Sequence, residues 1–172
     1  MRWTIRPAEP ADVAELQHIE VDAGRLFAEI GMESIAEDDP PTDAELLAHI
    51  GTGTAWVAVD EAGDPVGYAL ASTVDDEGHL DQVSLRPRAA GHGIGAALIE
   101  VVCGWADAEG HDAVTLTTFR DVAWNGPYYR RLGFVDVDDA AMGPELAAVR
   151  RGETDAGLDV APRIAMRRSP AR

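Results

Sequence analysis

Apolar residues recur along this chain with two different periods, and the periods predict an order of strands and helices. WTIRP, residues 3–7, alternates polar and apolar positions and is expected to be a short strand. A helix follows, because apolar residues then recur every three or four positions: Val13, Leu16, Ile19 and Ala23. Glu20 lies outside this apolar stripe. The run 23–39 contains two glycines and an acidic cluster, which predicts a helix end and a loop.

A second short helix and an antiparallel meander are predicted next. Thr42 or Asp43 caps the helix, and Gly51 and Gly53 end it. Two apolar, β-rich runs, AWVAVD and VGYALASTV, flank the turn EAGDP and therefore predict a hairpin. A strand at Leu80–Leu85 would extend this hairpin into a meander.

The stretch GHLDQVSLRPRAAGHGIGAA, residues 78–97, reads as strand, glycine-rich loop and helix. Its glycines, Gly91, Gly93 and Gly95, allow backbone dihedrals that other residues avoid and let an anion approach the amides. The following helix, about 93–109, begins with unpaired N–H groups and the positive end of its dipole. The expected ligand of such a loop is a phosphate or pyrophosphate.

Alternating elements continue to the end of the chain. A strand at Val114–Thr118 follows the helix, and this order is typical of a parallel, right-handed crossover. WNGPYYRRL predicts a short helix with Pro127 in its first turn, and FVDVD predicts a strand. A short helix or turn from Glu145 and a last strand at Arg163–Met166 complete the pattern.

Two nucleotide-binding motifs compete for the glycine loop, and both fit poorly. Gly91, Gly93 and Ala96 match a dinucleotide fingerprint, but the next strand ends in Thr117, Thr118 and Phe119 rather than in an acidic residue for a ribose. A Walker phosphate loop requires a lysine, and the chain contains none.

A third interpretation accounts for more residues. VSLRPRAAGHGIGAALI resembles the acetyl-CoA-binding signature of the GNAT (Gcn5-related) acyltransferases, and TLTTFRDVAWNGPYYRRLGF resembles the second CoA-contacting segment of that family. The resemblance implies an α+β fold with a mixed central sheet of six to seven strands, antiparallel at its N-terminal side and with a splayed parallel pair in the middle. The length of 172 residues fits one domain, which we place at residues 1–168, and residues 169–172 are expected to be a mobile tail.

The resemblance implies transfer of acetyl from acetyl-CoA to a primary amine by direct attack in a ternary complex. The acceptor would be a small molecule or a protein. Two alternatives stay open: a CoA-binding regulatory module without turnover, and a dinucleotide-binding enzyme. The residues that the resemblance assigns to the cofactor are Val83, Ser84, Leu85, Ala90, Gly91, His92, Gly93, Ile94, Gly95, Ala96, Asn125 and Tyr129. Ala90 departs from the arginine or glutamine frequent in the family.

Tyr129 is the expected general acid, because a phenol stays protonated at neutral pH and can donate to a departing thiolate. Its alternative role is packing. Asn125 would either bind the cofactor or cap the helix that follows it, and Asp81 would either relay a proton or pair with a neighbouring strand. Phe27 and Glu33 are candidates for substrate contact by position in the family fold. His79, at a strand start, is expected to be exposed to solvent. The other histidines outside the glycine loop show no metal-ligand spacing: His18, His49 and His111.

Charge and composition limit the kinds of binding partner that we expect. The chain has 31 acidic and 14 basic residues, all of the latter arginine, for a formal net charge of −17. Nucleic acid would be repelled, and no apolar run is long enough for a membrane span. We expect a cytoplasmic protein, and the acidic excess is typical of salt-loving microbes. The single cysteine, Cys103, is expected to be buried in the core. The family resemblance also implies that a homodimer can form.

Overall fold

A seven-stranded mixed sheet organises the protein, as the predicted fold class requires. The computed structural model describes residues 1–169, so residues 170–172 of the predicted tail lie outside the described chain. The strands are β1 (Trp3–Pro7), β2 (Ala55–Asp60), β3 (Pro65–Val74), β4 (Glu77–Leu85), β5 (Val114–Phe119), β6 (Val135–Val137) and β7 (Arg163–Arg168). Their order in the sheet is β1-β2-β3-β4-β5-β7-β6. β4 and β5 are parallel and pair at Gly78↔Val114 and His79↔Thr115.

Six α-helices accompany the strands in the described chain. They are α1 (Val13–Ala28), α2 (Glu33–Ala36), α3 (Asp43–Thr52), α4 (Ile94–Ala108), α5 (Gly126–Arg131) and α6 (Pro144–Asp155). The helix end and loop predicted for residues 23–39 are partly wrong: α1 does end within this run, at Ala28, but α2 forms where only a loop was expected. Gly24 does not end α1; a Cβ there would lie 3.2 Å from the Ala36 carbonyl oxygen, so this glycine lets α2 pack closely. No helix in residues 1–169 combines the length and apolarity that spanning a bilayer requires.

Contacts divide the chain into two compact units. The first consists of Met1–Ser72 and Gln82–Val102. Its core joins the inner face of α1 to the strands of the meander, with Leu16, Ile19, Leu46, Val57 and Tyr68 fully buried. α3 begins and ends as predicted: Thr42 and Glu45 form a capping box, and Gly53 ends the helix in the left-handed region.

The second unit consists of Thr73–Asp81 and the chain from Cys103 onward. β5 is antiparallel to β7 along its whole length, from Val114↔Arg168 to Phe119↔Arg163. A small core forms where Val74, Leu146 and Ala165 pack together. Cys103 is 2% exposed, which confirms the prediction that it is a core residue.

Asp75, in the β3–β4 turn, caps α6 from a distance of 70 residues in sequence. Its carboxylate accepts hydrogen bonds from the backbone N–H groups of Glu145 and Leu146, both at 2.9 Å. The Glu145 carboxylate in turn accepts from the Asp75 N–H. A Cβ on Gly143 would lie 2.3 Å from this carboxylate, so a larger residue there would push the Asp75 side chain away from its capping position. The short helix or turn predicted from Glu145 is thus a full helix, Pro144–Asp155, and the group that caps its N-terminus comes from a distant part of the sequence.

Candidate functional site

The loop that joins β4 to α4 contains two residues in the left-handed region. Gly91 has φ +77° and Gly93 has φ +78°. A Cβ at either position would meet no atom within 4 Å, so glycine is needed for its dihedral freedom and not for space. We call Ala90–Gly93 the glycine loop. Ala90, Gly91, His92 and Gly93 are all exposed to solvent, so their backbone is open to a ligand.

The N-terminus of α4 adds unpaired donors to this loop. The first backbone hydrogen bond of the helix runs from the Ala97 N–H to the Gly93 carbonyl at 3.1 Å. The N–H groups of Ile94, Gly95 and Ala96 precede that bond and have no acceptor within the helix. Ile94 is fully buried and anchors this end. Free N–H groups and the helix dipole together favour an anion here.

Two arginines, Arg86 and Arg88, precede the glycine loop in the sequence, and carboxylates bind both of them. The Arg86 guanidinium contacts Glu15 at 2.6 Å and Asp22 at 2.5 Å, both on α1. The Arg88 guanidinium contacts Asp60 at 3.2 Å. Trp3 fixes the loop from β1, because its indole N–H donates to the His92 carbonyl at 3.2 Å. Since Ala90 has no polar side chain, recognition of an anion at this loop depends on backbone amides.

Residues 83–85 end β4, and a single 3₁₀ turn, Pro87–Ala89, separates them from the glycine loop. A Cβ on Gly67 would come within 2.2 Å of the Leu85 side chain and 3.5 Å of Leu98, which places Leu85 on the α4 face of the sheet. Ser84 lies on the opposite face, because successive side chains in a strand alternate. There its hydroxyl donates to the Glu20 carboxylate at 2.6 Å. Val83 and Leu85 are half-buried, and Ser84 is 6% exposed.

Glu20 is a residue that the sequence pattern did not single out. Its carboxylate also accepts from the Tyr68 hydroxyl at 2.7 Å and from the Gln82 side-chain amide at 2.9 Å. We call Glu20, Tyr68, Gln82 and Ser84 the Glu20 cluster. Burial raises the pKa of Tyr68 well above its usual value, and the Glu20 charge adds to the effect. The available sequence signal was a pair of polar residues, 82 and 84, on the same face of β4 as the buried Leu80.

The two candidate substrate residues, Phe27 and Glu33, lie in the first unit, one in the last turn of α1 and one at the start of α2. Phe27 is half-buried in that turn, and its carbonyl accepts from the Met32 N–H at 2.9 Å. Glu33 begins α2 and is exposed.

Tyr129 belongs to the second unit and is buried in α5. It is 8% exposed, and its ring makes edge contacts with Phe134 and Tyr128, both at 5.7 Å between centroids. Burial is the main cause that raises its pKa far above the usual value. The phenol is therefore protonated at every pH at which the protein would work.

Asn125 stands at the N-cap position of the same helix, and its backbone carbonyl accepts from the Tyr129 N–H at 3.0 Å. Its side chain makes no capping hydrogen bond, so the capping alternative is wrong. Within residues 1–169 its Oδ1 atom is buried without a hydrogen-bond partner. A buried, unpaired acceptor is costly, and a ligand N–H or O–H group would satisfy it.

His79 is buried, so the expectation that it is exposed is wrong. β4 begins at Glu77, earlier than predicted, and its pairing with β5 covers His79, which is 3% exposed. The Nδ1 atom hydrogen-bonds the Thr115 hydroxyl at 2.8 Å. Burial lowers the pKa of His79, although Asp81 and Glu153 oppose the change. Asp81 itself is exposed on β4, two residues beyond.

An alkaline titration is a direct check on the buried phenols. The chain has no lysine, and the pKa values of all three tyrosines are raised by burial: Tyr68, Tyr128 and Tyr129. A raised pKa in the folded state gives stability that is complete below the unfolded value, near 10, and is lost as pH rises above it. At pH 11 we therefore expect a lower free energy of unfolding than at pH 8, with Tyr68 and Tyr129, the two most deeply buried phenols, as the main cause.

Urea unfolding at pH 8 and 11, with tyrosinate absorbance as a second signal, measures this loss. Tyr68→Phe should remove about half of this loss in the free energy of unfolding. Tyrosinate absorbance in the folded protein near pH 10 would contradict the burial of these phenols.

Comparison with known proteins agrees with this geometry. Residues 14–134 match the acetyltransferase (GNAT) family. The PaiA N-acetyltransferase of Thermoplasma acidophilum, solved with coenzyme A, is similar over 98% of this chain and 99% of its own, with TM-score 0.74 and 16% identity. A GNAT acetyltransferase of Staphylococcus aureus matches over 99% and 100%, with TM-score 0.75 and 13% identity.

A phosphinothricin acetyltransferase of Sinorhizobium meliloti, solved with acetyl-CoA, matches over 99% of this chain and 90% of its own, with TM-score 0.68 and 22% identity. At these identities the three structures demonstrate a common fold. The family match covers well over half of the sequence and includes both the glycine loop and α5. The chain therefore belongs to the GNAT family of acetyltransferases.

Proposed function

We propose that the protein transfers acetyl from acetyl-CoA to a primary amine by direct attack in a ternary complex. The observation that carries this proposal is the set of unpaired N–H groups where the glycine loop meets α4. Membership of an acetyltransferase family supports it, and so do the coenzyme A and acetyl-CoA present in two of the similar structures.

The residues at the glycine loop fit the pyrophosphate of coenzyme A. Gly91 and Gly93 turn the backbone at positive φ, and the N–H groups of Ile94, Gly95 and Ala96 have no helical acceptor. Ala90 and His92 complete the loop through their amides. The absence of an arginine or glutamine at position 90 leaves a site that depends on the backbone, which tolerates side-chain change.

Two further contacts are proposed for the rest of the cofactor. The backbone of Val83, Ser84 and Leu85 would pair with the amides of the pantetheine arm. The orphaned Oδ1 of Asn125 would accept a hydrogen bond from a cofactor N–H or O–H group. Bound acetyl-CoA would supply an acetyl group activated as a thioester.

The chain's own contribution to chemistry is positioning and proton transfer. Holding two reactants together makes the reaction effectively unimolecular, so no covalent intermediate on the protein is required. Tyr129 is the proposed general acid, because its buried hydroxyl stays protonated until it donates to the departing thiolate. Asp81, exposed on β4, is the proposed relay for the proton that the amine must lose. Phe27 and Glu33 are proposed to contact the acceptor.

A pair of matched glycine variants tests the cofactor assignment. Gly93→Ala and Gly157→Ala both place alanine at positive φ, +78° and +79°, with no atom within 4 Å of the new Cβ. Both should lose about 1–2 kcal/mol of stability. Only Gly93→Ala should weaken acetyl-CoA binding, by about tenfold, because it alone disturbs the amides of the glycine loop. Calorimetric titration with acetyl-CoA, at low and molar salt, measures the affinity.

The same titration separates the alternatives. Wild-type protein should bind acetyl-CoA and ignore NADH; binding of NADH alone would favour the dinucleotide enzyme. Equal affinities of the two glycine variants would contradict the glycine loop as the cofactor site. Binding without release of free thiol, over a panel of amines, would identify a CoA-binding module without turnover.

A further inference from the structure

Helix α1 directs three carboxylates toward the end of β4, and only two of them meet a cation. Glu15 and Asp22 bind the Arg86 guanidinium, and Asp22 also binds Arg25 at 2.9 Å. The third carboxylate, Glu20, forms no ion pair in the part of the chain that the structure describes. A full negative charge therefore stands on this face of the sheet without a counter-ion.

Neutral groups hold the Glu20 carboxylate in one orientation. Oε2 accepts from the hydroxyls of Tyr68 and Ser84, and Oε1 accepts from the Gln82 amide. Tyr68 is fully buried and Ser84 nearly so, which fixes these donors. Each carboxylate oxygen can accept two hydrogen bonds, so Oε1 keeps one free position. Glu20 itself is only half-buried, and a ligand can reach it.

The Glu20 cluster also adjoins residues that the proposed function assigns to the cofactor. Ser84 lies between Val83 and Leu85, and a single 3₁₀ turn joins the end of this strand to the glycine loop within one compact unit. A structural polar cluster needs only hydrogen bonds, and glutamine would provide them without the cost of a partly buried charge. An oriented, uncompensated carboxylate with a free lone pair is the complement of an ammonium group.

We infer that the Glu20 cluster binds the ammonium group of the acceptor, and that the acceptor is a cationic amine without a neighbouring carboxylate. This inference rests on the proposed function. A second carboxylate next to the amine would be repelled by Glu20, because like charges a few ångströms apart interact strongly in a partly buried site. The chain should therefore prefer simple amines, amino-acid amides or peptide N-termini over free amino acids.

Two matched pairs of compounds and one matched pair of variants test this inference. The compounds are tyramine with tyrosine, and glycinamide with glycine, which differ at the group beside the amine. The variants are Glu20→Gln and Glu29→Gln, each of which removes one negative charge; Glu29 is exposed at the end of α1. In Glu20→Gln one oxygen can still accept from Tyr68 and Ser84, so the fold should survive, and a thermal midpoint checks that it does.

In wild-type protein we expect kcat/KM for the carboxylate-free member of each pair to exceed that of its partner by at least about tenfold. Glu20→Gln should raise KM for the cationic amine about tenfold and remove most of the preference, whereas Glu29→Gln should change neither. Titration of tyramine into protein saturated with coenzyme A should show the same loss of affinity in Glu20→Gln, independently of turnover.

Several outcomes would overturn the inference while the proposed function stands. Acetyl transfer with equal KM in the two variants would do so, and so would a wild-type preference for the free amino acids. A folded wild-type protein that binds acetyl-CoA but accepts neither cationic amine would also contradict it. Failure of the wild type to bind acetyl-CoA would instead contradict the proposed function, which makes the two failures distinguishable.

Discussion

Replacement of Tyr129 by phenylalanine is expected to lower kcat by a factor of about 100 to 1,000, the usual contribution of a positioned general acid. The affinity for acetyl-CoA should stay within about twofold of the wild type, because a phenyl ring keeps the edge contacts with Phe134 and Tyr128. Burial keeps the Tyr129 phenol protonated. The fall in kcat in Tyr129→Phe therefore measures the loss of this proton donor. Thiol release under saturating acetyl-CoA measures kcat, and calorimetry measures the affinity.

Tyr128→Phe is the matched control. Tyr128 is the preceding residue of α5, is half-buried and also has a raised pKa, caused by burial. Removal of its hydroxyl should change kcat by less than about threefold, because the Tyr128 hydroxyl is not proposed to donate a proton in the reaction. Equal kcat values for Tyr129→Phe and wild type would reject the acid assignment. A parallel fall in both variants would indicate that α5 as a whole, and not one hydroxyl, is required.

Replacement of Gly126 by alanine is expected to destabilise the protein by about 3 kcal/mol or more. An added Cβ would lie 2.3 Å from the Arg120 carbonyl oxygen and 3.1 Å from that of Phe119. These contacts are with backbone, so no side-chain rotation can relieve them. Because Gly126 begins α5, the helix must shift at its N-terminus, beside Asn125. Urea unfolding measures the loss, and acetyl transfer at a temperature where the variant is folded should also fall.

Gly104→Ala is expected to have the opposite effect on stability. Gly104 is exposed within α4, and a Cβ there would meet no atom within 4 Å. Alanine at this position should stabilise the protein by about 0.5–1 kcal/mol, because glycine costs that much in a helix interior. If Gly126→Ala proved as stable as wild type, the close approach of α5 to the end of β5 would be wrong.

The sequence by itself determined the elements whose signals are local. Apolar periodicity located the strands and the longer helices, although it missed α2, and the capping pair Thr42 and Glu45 marked the start of α3. The glycine loop was also readable, because positive φ at Gly91 and Gly93 is a property of single residues next to a helix start. Those same local motifs carried the family resemblance, which the match over residues 14–134 bears out.

Tertiary structure alone decided the features that join residues far apart in the chain. Asp75 caps α6 across 70 positions, and Glu20 meets Ser84 across 64. His79 is buried because β4 pairs with β5, although its neighbours in the sequence predict an exposed strand start. The position of Asn125 before a helix predicted a cap as readily as a cofactor contact. Within residues 1–169, only the folded structure shows that its Oδ1 atom has no hydrogen-bond partner. Periodicity reports which face of an element is apolar, but the partner of a polar group depends on which distant backbone folding brings beside it.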